Sequence, residues 1–101
     1  MIMFVRTLDV QYGKMKEAIA WATKMLAYYT EIDAPGERRV VRNINGSIHQ
    51  LYIVYYFESL AVFDELDNKM QSNQDPKYQE LGAESKTIFL ANTRNFYKTI
   101  D

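Results

Sequence analysis

Apolar and polar positions along the chain change their period several times, and each change predicts an element. The run IMFVRTL, Ile2 to Leu8, is rich in β-branched and aromatic residues and predicts a first strand. After the loop DVQYG, closed by Gly13, a helical period begins. Met15, Ala18, Ile19, Ala22, Met25, Leu26 and Tyr29 recur at spacings of three and four, while Lys14, Lys16, Glu17, Lys24 and Glu31 fall on the other side. This first helix is predicted to reach Ile32, where Ala34-Pro35-Gly36 stops it.

Arg38 to Ile44 reads as a second strand. Asn45-Gly46 predicts a tight hairpin, because both residue types tolerate positive φ, so a third strand over Ile48 to Phe57 should pair antiparallel with the second. Ser59 suits the N-cap of a second helix whose inner face would carry Leu60, Phe63, Leu66 and Met70. Asp75-Pro76 opens a short further helix that Gly82 is expected to end, and Thr87 to Tyr97 reads as the last strand. Strand, helix, strand, strand, helix, strand is the split βαβ order of the ferredoxin-like α+β fold. Right-handed crossovers place the helices on one face of a four-stranded antiparallel sheet. With no linker, repeat or low-complexity segment, residues 1–101 are expected to form a single domain.

The third strand is unusual. Leu51 to Phe57, LYIVYYF, contains no charge and no amide, so both of its faces are apolar. Leu51, Ile53, Tyr55 and Phe57 form the more uniformly oily row and are assigned to the helix-packed core. Gln50, Tyr52, Val54 and Tyr56 then occupy the other face, which nothing in the chain remains to cover. Bare apolar patches of that extent are rare on monomers, so a second copy packed face to face is expected, making the protein a homodimer.

Composition narrows the functional classes. The chain of 101 residues has 48% hydrophobic, 25% charged and 14% aromatic residues, an ordinary globular balance enriched in rings. Its net charge is −1, which gives no basic face for a phosphate backbone, so no nucleic-acid partner is expected. The one basic cluster, ERRVVR from Glu37 to Arg42, is read as the charged edge of a strand. The absence of cysteine excludes disulfides and thiolate metal sites and favours a cytoplasmic home. MIMFVR meets Arg6 too soon for a signal peptide, and no apolar run approaches the ~20 residues of a membrane helix, so no membrane association is expected.

The element order, with Gly13 opening the first helix and the stretch YYFESLAVFDELDNKMQSNQDPKYQEL, resembles the dimeric α/β-barrel superfamily. In that superfamily two ferredoxin-like subunits join their sheets into one barrel. The central strand ending in an aromatic, then ES, an amphipathic helix and DP followed by an aromatic, resembles the NIPSNAP-like and antibiotic-biosynthesis-monooxygenase-like branches. The resemblance implies ligands held between sheet and helices or within the barrel, and includes oxygenases that use no cofactor. The haem-degrading branch has an Asn, a Trp and a His where this chain has Arg6, Leu66 and Leu81, so haem degradation is disfavoured.

Four residues are candidates for a pocket. Arg6 interrupts an apolar strand, and a charge there anchors a carboxylate or enolate oxygen or else makes a structural ion pair. Tyr52 and Tyr56 share the uncovered face of the third strand, where they would shape a cavity inside the barrel or else simply pack in the dimer interface. His49, the chain's single histidine, has the one side chain of near-neutral pKa and is the candidate base, although a residue at a sheet end bonded to water or backbone is the favoured reading. One histidine, no cysteine and carboxylates spread along helices such as Asp64, Glu65 and Asp67 imply no metal site. These features point to a homodimer that binds a small, partly apolar molecule, and the family resemblance implies that it acts without a cofactor as a monooxygenase. The alternative is a non-catalytic interaction module whose barrel is filled by its own side chains.

Overall fold

Gly36 lies where the first helix hands over to the sheet, and it shows how tightly the two layers meet. In the structure, a computed structural model describing residues 1–46 and 48–100, Gly36 has φ 89°. A Cβ there would land on the backbone carbonyl of Tyr56. The elements around it are β1 (Ile2–Val10), α1 (Met15–Glu31), β2 (Glu37–Arg42), β3 (Gln50–Phe57), α2 (Leu60–Gln71), α3 (Pro76–Ile88) and β4 (Phe89–Lys98). The strands form one antiparallel sheet in the order β2-β3-β1-β4. This is the expected ferredoxin-like topology, with a third helix inserted before the last strand.

Strand pairing fixes which side chains share a face. Leu8 pairs with Leu51, Arg6 with Ile53 and Phe4 with Tyr55, so these rows look toward the helices. On that side Phe4, Leu8, Val10, Leu51, Ile53, Tyr55 and Phe57 are buried against Ala18, Trp21, Ala22, Met25 and Tyr29 of α1 and Phe63, Leu66 and Met70 of α2. Phe4, Tyr55, Phe63 and Phe96 form a ring cluster with centroids 4.8–5.2 Å apart around Phe4. Each such contact adds about 0.5–1.5 kcal/mol beyond area burial.

Ser59 caps α2 as expected, its hydroxyl accepting from the Val62 N–H at 3.4 Å. Two positions of the expected apolar stripes are exposed: Ile19 on α1 (36%) and Leu60 in the first turn of α2 (51%). Gly82 does not end the third helix, which continues to Ile88, so β4 starts at Phe89 rather than Thr87. An interior glycine costs a helix about 1 kcal/mol relative to alanine, and burial of Leu81 and Ile88 on either side outweighs it. Asn45-Gly46 does not form the expected two-residue turn either. Neither residue has positive φ; instead the Asn43 Oδ1 accepts from the N–H of Asn45 (3.0 Å) and of Gly46 (2.7 Å). This local Asx-type turn wins over the tight hairpin and lengthens the connection. The antiparallel pairing of β2 with β3 is unaffected.

Tyr28 is buried between α1 and α3, its ring stacked on Tyr78 at 5.6 Å. Its hydroxyl donates to Asp75 Oδ2 (3.0 Å) and accepts from Asn73 Nδ2 (2.8 Å). The other oxygen of Asp75 caps α3 by accepting from the Lys77 N–H at 3.0 Å. One carboxylate therefore fastens the start of α3 to α1. Trp21 fastens its middle, the indole N–H donating to the Leu81 carbonyl at 2.8 Å. No helix among the described residues is long and apolar enough to cross a membrane.

Gly36 and Gly13 give a paired test. Both have positive φ, but a Cβ at Gly13 meets nothing within 4 Å. Gly13→Ala should cost about 1 kcal/mol of unfolding free energy in urea, and Gly36→Ala at least about 2 kcal/mol, because collision with the Tyr56 carbonyl adds to the backbone strain. Equal losses would mean that the close approach at Gly36 is absent.

Candidate functional site

The pleat of β1 puts a cation into the oily layer. Arg6 lies on the helix side between Phe4 and Leu8, opposite Ile53 on β3 and opposite Arg94 on β4. Like charges facing one another across a strand pair are unfavourable. Arg94 has an acidic partner, Asp67 on α2, at 3.6 Å. Arg6 has none among the described residues. Its guanidinium sits over the Trp21 ring, 5.8 Å from the centroid, and its Nε is buried with no hydrogen-bond acceptor.

Arg6 borders an open-mouthed cavity of about 380 Å³ lined by the sheet and all three helices. Phe4, Trp21, Met25, Tyr29, Tyr55, Phe57, Phe63, Leu66 and Met70 give it apolar walls, and Tyr78, Gln79, Gly82, Ala83, Ser85 and Lys86 of α3 form one side. Tyr55 also presents an unsatisfied group: the residue is 2% exposed and its hydroxyl has no partner of hydrogen-bonding geometry. The Tyr29 phenol lies close by, and burial, followed by the neighbouring Tyr55, pushes its pKa far above the usual 10.0; Arg6 pulls weakly the other way. Burial likewise raises Tyr78, again opposed by Arg6. These two phenols therefore stay protonated at neutral pH. Arranged this way, the site holds unused donors and positive potential inside apolar walls, which suits an anionic oxygen attached to a flat, oily body.

The four residues expected to share a pocket do not share one. Arg6 faces the helices, whereas Tyr52 and Tyr56 lie on the opposite, open face of the sheet, because Tyr52 pairs with Thr7 and Tyr56 with Met3. An odd offset along paired strands places side chains on opposite faces. Tyr52 donates to Gln50 Oε1 (2.8 Å), and Gln50 Nε2 donates to Asp9 Oδ1 (2.9 Å). Tyr56 lies between Met3 and Glu37 on that face. His49 is exposed in the turn before β3, its ring 6.2 Å from that of Tyr12, outside the cavity wall. Sequence reasoning missed Arg94, Tyr55 and Trp21 as cavity residues. Arg94 was identifiable in principle as a second arginine interrupting a strand, but its place beside Arg6 follows from register alone. Among the described residues no group of three His, Asp or Glu side chains is placed to hold a metal ion.

Comparison with solved structures finds the same fold. A NIPSNAP family protein from Agrobacterium tumefaciens superposes with TM-score 0.82 at 17% identity, covering 99% of this chain and 93% of that one. An uncharacterised NIPSNAP domain protein from Burkholderia xenovorans gives 0.81 at 14% identity, covering 99% and 95%. SnoaB, a cofactor-independent oxygenase from Streptomyces nogalater, gives 0.71 at 11% identity, covering 99% and 93%. No protein-family model matches the chain, and no curated protein matches it in sequence. At these identities the likeness establishes a shared fold and leaves function to the residues of this chain.

The buried phenols predict alkaline sensitivity. A folded-state pKa raised above 10.0 means that Tyr29 keeps its proton in the native protein while the unfolded chain releases it. Native stability is then complete below about pH 10 and falls as pH rises beyond it. Urea unfolding from about pH 9 to about pH 11 should show that fall, and Tyr29→Phe should flatten it. An unchanged slope in the variant would place the loss elsewhere.

Proposed function

We propose that the cavity between the sheet and the helices binds a small, partly apolar molecule carrying one acidic oxygen, as in an enol, a phenol or a carboxylic acid. One observation carries this reading: Arg6 and Tyr55 line one cavity of about 380 Å³, and each has a buried polar atom, Nε and the phenol oxygen, that meets no partner in good hydrogen-bonding geometry. A buried unsatisfied polar group costs about 1–3 kcal/mol, and an anionic oxygen seated there would relieve both. Arg94 adds positive charge beside Arg6, and the surrounding rings bury the body of the molecule. A cavity above ~300 Å³ with a few converging polar groups favours ligand binding over an interaction module with a filled interior.

The chemistry we assign to this complex is oxygenation by dioxygen without a cofactor, a reading supported by the fold shared with SnoaB. Arg6 and Tyr55 stabilise the oxygen in its enolate form, so an activated methylene conjugated with it, across the ring and nearer the mouth, loses a proton to solvent water. The resulting carbanion is the reductant: it gives its electrons to dioxygen and forms a carbon-bound peroxide. The peroxide takes back the proton released in the first step, and its O–O bond then breaks as the carbon loses its second hydrogen, leaving a ketone and one water. Apolar walls keep the intermediate from bulk solvent. His49, exposed and outside the cavity wall, takes no part.

Fluorescence titration with 2-naphthoate tests the binding. Arg6→Ala should weaken it by about tenfold or more with the circular dichroism spectrum retained. Tyr55→Phe should also weaken it while the melting temperature stays level or rises, since the lost hydroxyl has no partner. Full affinity in both variants would remove the basis of the reading. Anthrone then tests the chemistry: one dioxygen consumed per anthraquinone formed supports oxygenation, and binding without uptake leaves a binding protein.

The open sheet face supports a second copy as partner. All three helices lie on the other face, and Met3, Val5, Tyr52, Val54 and Tyr56 form an uncharged, half-exposed centre that no element covers. A twin sheet matches this surface across a twofold axis. Light scattering should give twice the chain mass at micromolar concentration, and Val54→Asp should halve it; a wild-type monomer would exclude the dimer.

A further inference from the structure

We infer that Gly82 and Ala83 form the entrance of the cavity and set the size of the ring system it admits, an inference that rests on the binding reading above. Gly82 is the seventh residue of the thirteen-residue helix α3. Glycine inside a helix costs about 1 kcal/mol relative to alanine, so its presence calls for a reason. The two usual reasons are absent: Gly82 has no positive φ, and a Cβ there meets no atom within 4 Å. At Gly36 both reasons apply, which shows what a structurally required glycine looks like in this fold. The fold itself does not ask for a glycine at position 82.

What Gly82 does adjoin is the cavity. The wall contributed by α3 is bulky at its ends, with Tyr78 and Lys86, and thin in the middle, with Gly82 and Ala83. A notch between large neighbours is the shape of an opening. The wall is held rather than frayed, because the Trp21 indole grips the Leu81 carbonyl at 2.8 Å, one residue before the notch. Inside lies the group that carries the binding reading: the Tyr55 hydroxyl, on a residue 2% exposed, meets no partner in good hydrogen-bonding geometry. Of the charged lining residues Arg94 is paired with Asp67, which leaves Lys86 and Arg6 as the positive charges available to an acid. The acidic oxygen would sit deep, against Tyr55 and Arg6, and the far edge of the ring system would project through the notch. The fitting class is a planar aromatic acid of more than one ring.

The test uses the full chain with benzoate, 2-naphthoate and anthracene-2-carboxylate as probes, followed by fluorescence or calorimetry. Gly82→Leu should weaken anthracene-2-carboxylate by about tenfold or more while benzoate stays within about twofold, because added side-chain bulk fills the notch and leaves the deep end open. Gly82→Ala should raise the melting temperature, since nothing opposes its better helix propensity. The chain has no cysteine, so Gly82→Cys introduces a lone thiol. Bound 2-naphthoate should slow alkylation of that thiol by iodoacetamide at least about fivefold. If wild-type protein binds the acids but Gly82→Leu leaves their relative affinities unchanged, or the thiol is unprotected, the entrance lies elsewhere and the binding reading survives. If wild-type protein binds none of the three, the binding reading fails and the entrance with it.

Discussion

The pleat of the two central strands, β1 and β3, is the constraint on which the rest of the molecule depends. Because neighbouring side chains point to opposite faces, β3 sends Leu51, Ile53, Tyr55 and Phe57 under the helices and Tyr52, Val54 and Tyr56 to the open side. The same alternation in β1 carries Arg6 into the helix-side layer with Phe4 and Leu8. A guanidinium within an apolar layer is costly, and here the layer does not close over it. The helices leave a cavity at that point, with Trp21 beneath the charge on one side.

Several locally unfavourable choices gather around this cavity. Two arginines face each other across β1 and β4, and the one carboxylate nearby, Asp67, pairs with Arg94 and not with Arg6. A tyrosine hydroxyl is buried without a partner, and a glycine interrupts the helix that forms the wall. Each runs against stability, and the apolar core, built from the ring cluster around Phe4 and the inward row of β3, needs neither the charges, nor the phenol oxygen, nor the glycine. Natural sequences concentrate such departures at functional sites, where the missing partner is a ligand.

The wall opposite the sheet depends on a small polar network. Asp75 caps α3 and accepts from Tyr28, Asn73 donates to the same phenol, and Trp21 reaches Leu81. These contacts join α1 to a helix of weakly amphipathic sequence that otherwise buries only Leu81 and Ile88. Cavity shape is thus set by a few directional bonds as much as by apolar packing.

Periodicity alone was enough to read most of the architecture. The stripe from Ala18 to Tyr29, the Ser59 and Asp75 caps and the two-sided β3 are written in local spacing, and local spacing determines whether a segment is helical or extended. The resulting order permits very few right-handed connections, so the ferredoxin-like topology was legible as well. Tertiary structure decided the rest, because each remaining feature depends on a partner distant in sequence. Gly82 stays helical because Leu81 and Ile88 are buried on other elements, and Tyr28 turns inward because α3 comes to lie on α1. The pocket residues divided for the same reason: a one-residue difference in strand offset exchanges the two faces of a sheet, and register is set by pairing. That pairing set Arg6 beside Arg94 and away from Tyr52 and Tyr56, and so placed the candidate site between sheet and helices.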